Sequence, residues 1–311
     1  MKAWIIERLD GIEKARLTEV ADPVPAAGEV VLRLTCAALN PADRYLAEGQ
    51  YPAKPPLPHI LGRDGSGTVV SSGAGVQDHL PGQKRAILRG GMGVSRWGTF
   101  AELVAVPAES LIEIPSGWTE EQAGSASLVY VTAFQALTQW EDLPAQSVVL
   151  VTGASGGVGV ASTQLGVAMG YTVIGLSRGS EKHAALRSLG AALLLDPADA
   201  QWHKTLGEFL GKRKVNLAID NVGGPLFNQL IATLGNRGRI SVVGRLAGEV
   251  PRFNTAAPFF RRLRIGGVAV GAYNQESRHA WKSSLDLLNK TAARPLIDLV
   301  ARIRSIVYSA G

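Results

Sequence analysis

Residues 143–177 form a long segment without charge, and this segment leaves few folds open to the chain. It contains no Asp, Glu, Lys or Arg, and its length is that of a membrane span. Glycines and interspersed Ser, Thr and Gln divide it into a β-branched run, a Gly-rich turn and a helix of small residues. That order is typical of a buried unit of a parallel sheet, so we predict an α/β fold and no transmembrane helix here.

Helices and strands alternate along the chain from residue 120 onwards. The patterns predict helices at 120–137, 157–169, 181–189, 202–210 and 225–234, and strands at 147–151, 172–176, 192–195, 216–220 and 239–244. Such alternation indicates a doubly wound parallel sheet. Before residue 120, short Val- and Leu-rich runs between turn signals predict a small, mostly β domain.

The Gly-rich turn has the context of a dinucleotide-binding site. A hydrophobic strand runs into Thr-Gly-Ala-Ser-Gly-Gly-Val-Gly at 152–159, and a helix follows. Ala154, Gly156 and Gly159 occupy the three positions of the glycine fingerprint, with alanine in place of the first glycine. We expect these positions to serve, in that order, the tight turn, the approach of backbone to pyrophosphate and the contact between helix and strand.

The end of the second predicted strand indicates which nucleotide is bound. An acidic residue there would hold the ribose hydroxyls of NAD, but the chain has Ser177 and Arg178, with Lys182 four residues beyond Arg178. A hydroxyl and two cations suit the 2′-phosphate of NADPH. The alternative is that Arg178 and Lys182 are merely solvated at the start of a helix.

Charge and cysteine content exclude several classes of protein. The net charge is +6, but the basic residues are scattered apart from a short cluster at 261–264, so nucleic-acid binding is not favoured. Cys36 is the single cysteine and cannot form an intramolecular disulfide, and no Cys/His spacing fits zinc ligation. The N-terminal residues lack the apolar stretch of a signal peptide, so we expect a cytoplasmic protein without a membrane anchor.

Short motifs follow one another in a fixed order along the chain. They are Leu-Asn-Pro-Ala-Asp at 39–43, Gly-Gln-Tyr-Pro at 49–52, Leu-Gly-Arg-Asp-Gly-Ser-Gly-Thr-Val at 61–69, Trp-Gly-Thr-Phe-Ala-Glu at 97–102, Val-Thr-Ala at 131–133, the Gly-rich turn, Asp-Asn-Val-Gly-Gly at 220–224 and Gly-Arg-Ile at 238–240. Together, from residue 1 to about 298, they resemble the medium-chain dehydrogenase/reductases, and within them the zinc-free quinone oxidoreductase branch with its zeta-crystallin relatives.

The resemblance implies a domain order. Residues 1–120 would form a GroES-like catalytic domain, 121–267 a Rossmann domain that binds NADP, and 268–311 the return to the catalytic domain. Residues 299–311 match none of the closing strands and helix of the relatives, so we expect this return to be incomplete. Homodimers are expected from the family.

The resemblance also assigns residues to the substrate site. Asn40 stands where zinc-dependent relatives have a catalytic Cys and Arg63 where they have a His, which implies that no metal is bound. Asn40, Tyr45 and Tyr51 match polar positions of the substrate cleft in zinc-free relatives, and Tyr51 is the candidate hydrogen-bond donor. The alternative for Tyr51 is a packing role under the Pro-rich loop. We expect a structural role for Asp64, paired with Arg63 or another nearby donor.

For the cofactor, the resemblance implies contacts by Ser155, Gly156, Gly157 and Val158 with the pyrophosphate and by Thr132 near the nicotinamide. Asn221 and Gly244 would lie along the nicotinamide side. Both of these residues also follow predicted strands, where ligands of parallel sheets bind.

Three functions remain open at this point. The first is an NADPH-dependent reductase that transfers a hydride to a small-molecule quinone or α,β-unsaturated carbonyl compound. The second is a zinc-free alcohol or aldehyde oxidoreductase, since one fold supports several chemistries. The third is a cofactor-binding protein with an RNA-binding or structural role.

Overall fold

The computed structural model describes residues 1–141, 143–270, 276–291 and 300–302, and the chain divides into two compact units. The first unit comprises Met1–Leu128 and the described residues after Arg294, and the second comprises the described residues of Val129–Ala293. The division falls inside helix α2 (Glu120–Thr138).

The first unit is built from antiparallel strands. The chain order is β1 (Lys2–Ile6), β2 (Arg16–Glu19), β3 (Glu29–Ala38), α1 (Pro41–Ala47), β4 (His59–Ile60), β5 (Gly65–Ser72), β6 (Lys84–Ile87), β7 (Leu103–Pro107), β8 (Leu111–Glu113) and, after the second unit, β15 (Val300–Arg302). A small sheet has the order β2-β1-β4, and a larger one has the order β15-β3-β5-β6-β8 with β7 also paired to β3. The mostly β domain predicted from the sequence is confirmed.

The second unit is a parallel sheet with helices between its strands. After α2 come β9 (Val148–Thr152), α3 (Gly157–Ala168), β10 (Thr172–Leu176), α4 (His183–Ser188), β11 (Leu193–Leu195), α5 (Trp202–Leu210), β12 (Val215–Asp220), α6 (Pro225–Thr233), β13 (Leu234–Val242), α7 (Ala256–Arg261), β14 (Arg264–Gly267) and α8 (Ser277–Lys290). The strand order β11-β10-β9-β12-β13-β14 is that of a dinucleotide-binding fold. The predicted α/β class is confirmed.

The uncharged segment forms the centre of this sheet. Its residues make up β9, α3 and β10, and all five residues of β9 are buried. Among the described residues, no helix is long and apolar enough to cross a membrane. The missing charges therefore reflect burial between the layers of an α/β unit.

Two predicted boundaries lie several residues or more from the observed ones. Strand β13 begins at Leu234, which pairs with Val215 before the register shifts, whereas the pattern predicted a start at residue 239. Helix α8 and residues 268–270 belong to the second unit, although the predicted division at 267 assigned them to the first domain. The reason is that α8 packs against α3 and buries Trp281 and Leu288.

Candidate functional site

The turn between β9 and α3 lies at the carboxyl edge of the sheet, and backbone hydrogen bonds fix its shape. The amide of Ala154 donates to the carbonyl of Leu176 at 3.0 Å, and that of Gly156 donates to the carbonyl of Gly153 at 2.9 Å. Gly156 is the N-cap of α3, and no side chain caps this helix. A helix start with uncapped amides and a favourable dipole is a ready site for an anion such as pyrophosphate.

At the first position of the glycine fingerprint, the residue that forms the tight turn is not the one that the sequence predicted. Gly153, not Ala154, has the left-handed backbone of the tight turn, with φ of +57°. Ala154 is fully buried, and a Cβ at Gly175 of β10 would lie 2.9 Å from the Ala154 Cβ. The alanine therefore fits because the neighbouring strand has a glycine opposite it.

Gly159 meets the expectation of close contact between helix and strand. A Cβ at this position would lie 2.3 Å from the carbonyl oxygen of Gly153 and 2.6 Å from the Cα of Ala154. Both atoms belong to the backbone, so no side-chain movement relieves the overlap. Glycine at 159 is required for α3 to begin where it does.

The end of β10 joins the turn through a pair of hydroxyls. Ser177 is buried, and its Oγ donates to Ser155 Oγ at 3.0 Å. Arg178 and Lys182 are exposed on the segment that follows. The structure thus brings Ser155 and Ser177 together and leaves both cations in solvent. This exposure is compatible with binding of a 2′-phosphate and with simple solvation at the start of a helix.

Asp196, which the sequence reasoning missed, lies beside this segment. It follows β11, and its carboxylate accepts hydrogen bonds from the amides of Ala198 at 2.8 Å and Gly179 at 3.0 Å. These bonds, with smaller effects of His183 and Arg178, hold the pKa of Asp196 below its usual range. The available signal was its place directly after a predicted strand of the parallel sheet.

The ends of β9 and β12 are tied together by Thr152. Its Oγ1 donates to Asp220 Oδ1 at 2.8 Å and accepts from the amide of Asn221 at 2.9 Å. Asn221 Nδ2 donates to the carbonyl of Thr152 at 2.7 Å. Asp220 Oδ2 and Asn221 Oδ1 are buried and have no hydrogen-bond partner in the part of the chain that the structure describes. Thr152 and Asp220 were not among the predicted site residues.

Gly244 lies beside Asn221 at the same edge. Its amide donates to the carbonyl of Asp220 at 3.1 Å, and a Cβ would lie 2.6 Å from the carbonyl oxygen of Asn221. Glycine therefore keeps the backbone close to Asn221. Thr132, the other residue predicted on the nicotinamide side, is buried on α2.

In the first unit, Asn40 and Asp64 form a hydrogen-bonded pair. Asn40 precedes α1, and its Nδ2 donates to Asp64 Oδ1 at 2.9 Å. Asp64 is fully buried, and burial together with the charge of Asp43 raises its pKa to about 7. Of the two partners expected for Asp64, the structure therefore shows the nearby donor and not Arg63.

Arg63 instead connects Asp43 with Tyr51. Its guanidinium donates to Asp43 Oδ1 at 3.3 Å and to Tyr51 Oη at 3.1 Å, and lies 4.5 Å from the centre of the Tyr51 ring. Asp43 is buried, which raises the pKa of its carboxyl to about 6 despite the nearby charge of Arg63. Tyr51 is thus held by a cation and not simply packed under the Pro-rich loop. Tyr45 lies on α1 and is partly buried.

Asn40 and Arg63 do not provide the ligands that zinc prefers. Zinc is held by thiolate and imidazole groups, whereas these side chains carry an amide and a guanidinium. Over the described ranges, no group of three His, Cys, Asp or Glu side chains is arranged to hold a metal ion. Cys36 is buried and lies 3.2 Å from Ser66 Oγ, and burial raises the pKa of its thiol to about 11.

Two family models match the two units. The alcohol dehydrogenase GroES-like domain matches residues 26–116, and the zinc-binding dehydrogenase model matches residues 157–290.

Curated relatives cover most of the chain. The human synaptic vesicle membrane protein VAT-1 homolog is 31% identical over 227 residues, which are 72% of this chain and 56% of that protein. The chain therefore spans little more than half of that relative. Acryloyl-coenzyme A reductase of Metallosphaera sedula is 29% identical across 98% of this chain and 94% of its own length. Quinone oxidoreductase of Pongo abelii is 25% identical across 92% of this chain and 85% of its own.

Solved structures share the whole architecture. An NAD-dependent alcohol dehydrogenase is 28% identical with a TM-score of 0.86, covering 95% of this chain and 91% of its own. A mycobacterial protein complexed with NADPH is 26% identical with a TM-score of 0.83, covering 94% and 90%. With two matching family models, full-length relatives and the strand order of the sheet, the chain belongs to the medium-chain dehydrogenase/reductase superfamily, in its quinone oxidoreductase-like branch.

Proposed function

We propose that this protein is an NADPH-dependent, zinc-independent oxidoreductase that transfers a hydride to a quinone or an α,β-unsaturated carbonyl compound. The observation that carries the proposal is the continuous edge formed by the ends of β10, β9 and β12. Along it, the Ser177–Ser155 contact, the uncapped start of α3 and the Thr152–Asn221 contacts follow one another.

This edge fits the successive parts of NADPH. The first-turn amides of α3 suit the pyrophosphate, and Arg178 and Lys182 suit a 2′-phosphate. Gly244 has no side chain beside Asn221. The Oδ1 of Asn221, which has no partner among the described residues, suits a donor such as the carboxamide of nicotinamide. The mycobacterial structure with NADPH supports this cofactor, while the NAD-dependent relative makes the comparison with NADH necessary.

The first unit supplies groups for the carbonyl substrate. When bound, NADPH supplies the hydride. Tyr51 accepts a hydrogen bond from Arg63, so its own hydroxyl proton can be donated to an oxygen that gains negative charge. Asp64 orients the amide of Asn40. A conjugated carbonyl that accepts such a hydrogen bond needs no metal to receive the hydride. Relatives named quinone oxidoreductase and acryloyl-coenzyme A reductase support that substrate class.

Fluorescence titration of the purified protein with NADPH and NADH tests the cofactor. Arg178→Ala and Lys182→Ala should each weaken NADPH binding by about 10-fold, since a charge-assisted hydrogen bond contributes about 1.5–3 kcal/mol, and should leave NADH binding unchanged. Lys212→Ala is the matched control, because Lys212 is exposed in the turn before β12, at the opposite edge of the sheet. Equal binding of both cofactors by all four proteins would contradict the assignment of NADPH.

Substrate assays then separate the remaining functions. We expect quinones and alkenals to consume NADPH and simple alcohols not to reduce NADP. Turnover of alcohols alone would favour the alcohol oxidoreductase. Salt-sensitive binding of single-stranded RNA without any turnover would favour a non-enzymatic role.

We further propose that two copies pair through β14. This strand ends the order of the parallel sheet, and Ile265 on it is 41% exposed. Phe259 and Phe260, on the preceding α7, are 76% and 78% exposed. A two-fold axis would pair the edge strand with itself and cover these rings. Sedimentation equilibrium should show a dimer that Phe260→Asp converts to a monomer, and a monomeric wild type would refute the pairing.

We propose a cytoplasmic location, which the single, buried cysteine supports because it fits a reducing compartment. Fractionation of the source cells tests this.

A further inference from the structure

Arg89 holds an unusual position in the first unit. It follows β6 and has φ of +71°, in the left-handed region that residues other than glycine seldom adopt. Gly90 and Gly91 continue the turn with φ of +80° and +73°. Such backbone conformations in non-glycine residues concentrate at functional sites.

Among the described residues, no carboxylate pairs with the guanidinium of Arg89. Its Nε is buried and has no hydrogen-bond partner, and Arg89 forms no ion pair with any residue that the structure describes. Burial is the main reason that the pKa of Arg89 falls to about 10, and the positive charge of Arg63 lowers it further. Arg89 is still charged at neutral pH. A partly buried cation without a partner is costly unless an anion joins it.

Arg89 lies near Tyr51 and Arg63, since Tyr51 raises and Arg63 lowers the pKa of Arg89. Arg63 differs from Arg89 because its donors are taken by Asp43, Tyr51 and the carbonyl of Ala42. In Arg89, by contrast, Nε has no acceptor among the described residues, so this guanidinium can donate to a ligand. A guanidinium fork binds a carboxylate through two parallel hydrogen bonds.

We propose that Arg89 binds a carboxylate group carried by the substrate, beside the carbonyl that Tyr51 meets. The proposal rests on the proposed function, because it narrows the substrate to unsaturated carbonyl compounds that are also acids. Arg89 sets this specificity, and Tyr51 keeps its role as the donor to the carbonyl oxygen. A neutral quinone would leave Arg89 uncompensated.

A binding measurement tests the site without turnover. Benzoate is the probe and benzamide its neutral counterpart, both followed by saturation-transfer NMR with the full-length protein and no cofactor. We expect benzoate to bind the wild type, to bind Arg89→Gln at least about 10-fold more weakly, and to bind Arg89→Lys with intermediate affinity. Arg33→Gln is the control, since Arg33 is exposed on β3 of the same unit.

Arg89→Gly separates the charge from the backbone, because glycine accepts the left-handed conformation without strain. It should lose benzoate as Arg89→Gln does while its melting temperature does not fall. Absence of benzoate binding to the wild type, or equal binding to wild type and Arg89→Gln, overturns the proposal.

Turnover gives the second readout. With 4-oxopent-2-enoate, Arg89→Gln should raise KM about 10-fold or more, and with the methyl ester of the same acid KM should be unchanged. Loss of benzoate binding in Arg89→Gln with no NADPH-dependent turnover in the wild type would refute the proposed function but leave the carboxylate site standing. An equal rise of KM for acid and ester would refute the carboxylate site alone.

Discussion

Gly159→Ala should damage both the stability of the second unit and its affinity for NADPH. The added Cβ would lie 2.3 Å from the carbonyl oxygen of Gly153, about 1 Å short of ordinary contact. Overpacking of this kind costs about 1–3 kcal/mol, of which the higher helix propensity of alanine returns up to about 1 kcal/mol. We expect a net loss of about 1–2 kcal/mol and a melting temperature lower by about 2–4 °C per kcal/mol. The displaced start of α3 should also raise the dissociation constant of NADPH at least about 10-fold, because the amide donors move away from the pyrophosphate.

Gly207→Ala is the matched control, since Gly207 lies inside α5 and a Cβ there meets nothing within 4 Å. This variant should gain about 0.5–1 kcal/mol and bind NADPH normally. Calorimetry gives the melting temperatures and fluorescence titration the dissociation constants. If Gly159→Ala matches the wild type in both measurements, the contact between helix and strand does not determine this cofactor site.

Three further predictions concern a buried carboxyl, a packing contact and a buried thiol. The pKa of Asp64 in the folded protein lies above the unfolded value of about 3.9. Its contribution therefore makes stability fall as the pH rises from about 4 to about 7. Asp64→Asn should reduce that fall in melting curves recorded across this range. An unchanged pH dependence would show that Asp64 is not protonated in the folded protein. Gly175→Ala should destabilise the protein because the added Cβ approaches Ala154 Cβ and Leu194 Cδ2. Adding Ala154→Gly should recover part of the loss of stability. Additive effects in this double-mutant cycle would contradict the contact. Cys36 should resist iodoacetamide in the native protein at pH 8, since its thiol is buried and its pKa is about 11, and rapid alkylation measured by mass spectrometry would contradict that burial.

Short-range patterns made the second unit predictable. The sequence located β10 and α5 at their observed bounds, because alternation and turn residues act over a few positions. The start of β13 was missed because Leu234 joins the sheet by pairing with Val215 in another register. That pairing depends on a distant strand and leaves no mark in the local pattern.

The candidate site was predictable in its residue types and less so in its contacts. Ser155 and Ser177 were both expected at the cofactor edge, and the structure places their hydroxyls in contact. Asp196 was missed because the search for a carboxylate considered only the end of β10, whereas β11 brings one to Gly179. The left-handed backbone of Arg89 was not predictable, since this conformation depends on the fold around it.

The hydrogen bonds of Arg63 to Asp43 and Tyr51 also limit which residues position 63 can accept. By the resemblance, Arg63 stands where metal-dependent relatives have a zinc-binding histidine, and in this structure it is the cation that faces buried Asp43. A mutation back to histidine would leave that carboxyl without its guanidinium and Tyr51 without its donor. Because a buried carboxylate that loses its partner typically costs about 3–5 kcal/mol, the first step of such a reversal would be selected against before any metal could bind. The contacts of Arg63 therefore make the identity of residue 63 a determinant of the stability of the first unit, and a replacement would need matching changes at Asp43 and Tyr51.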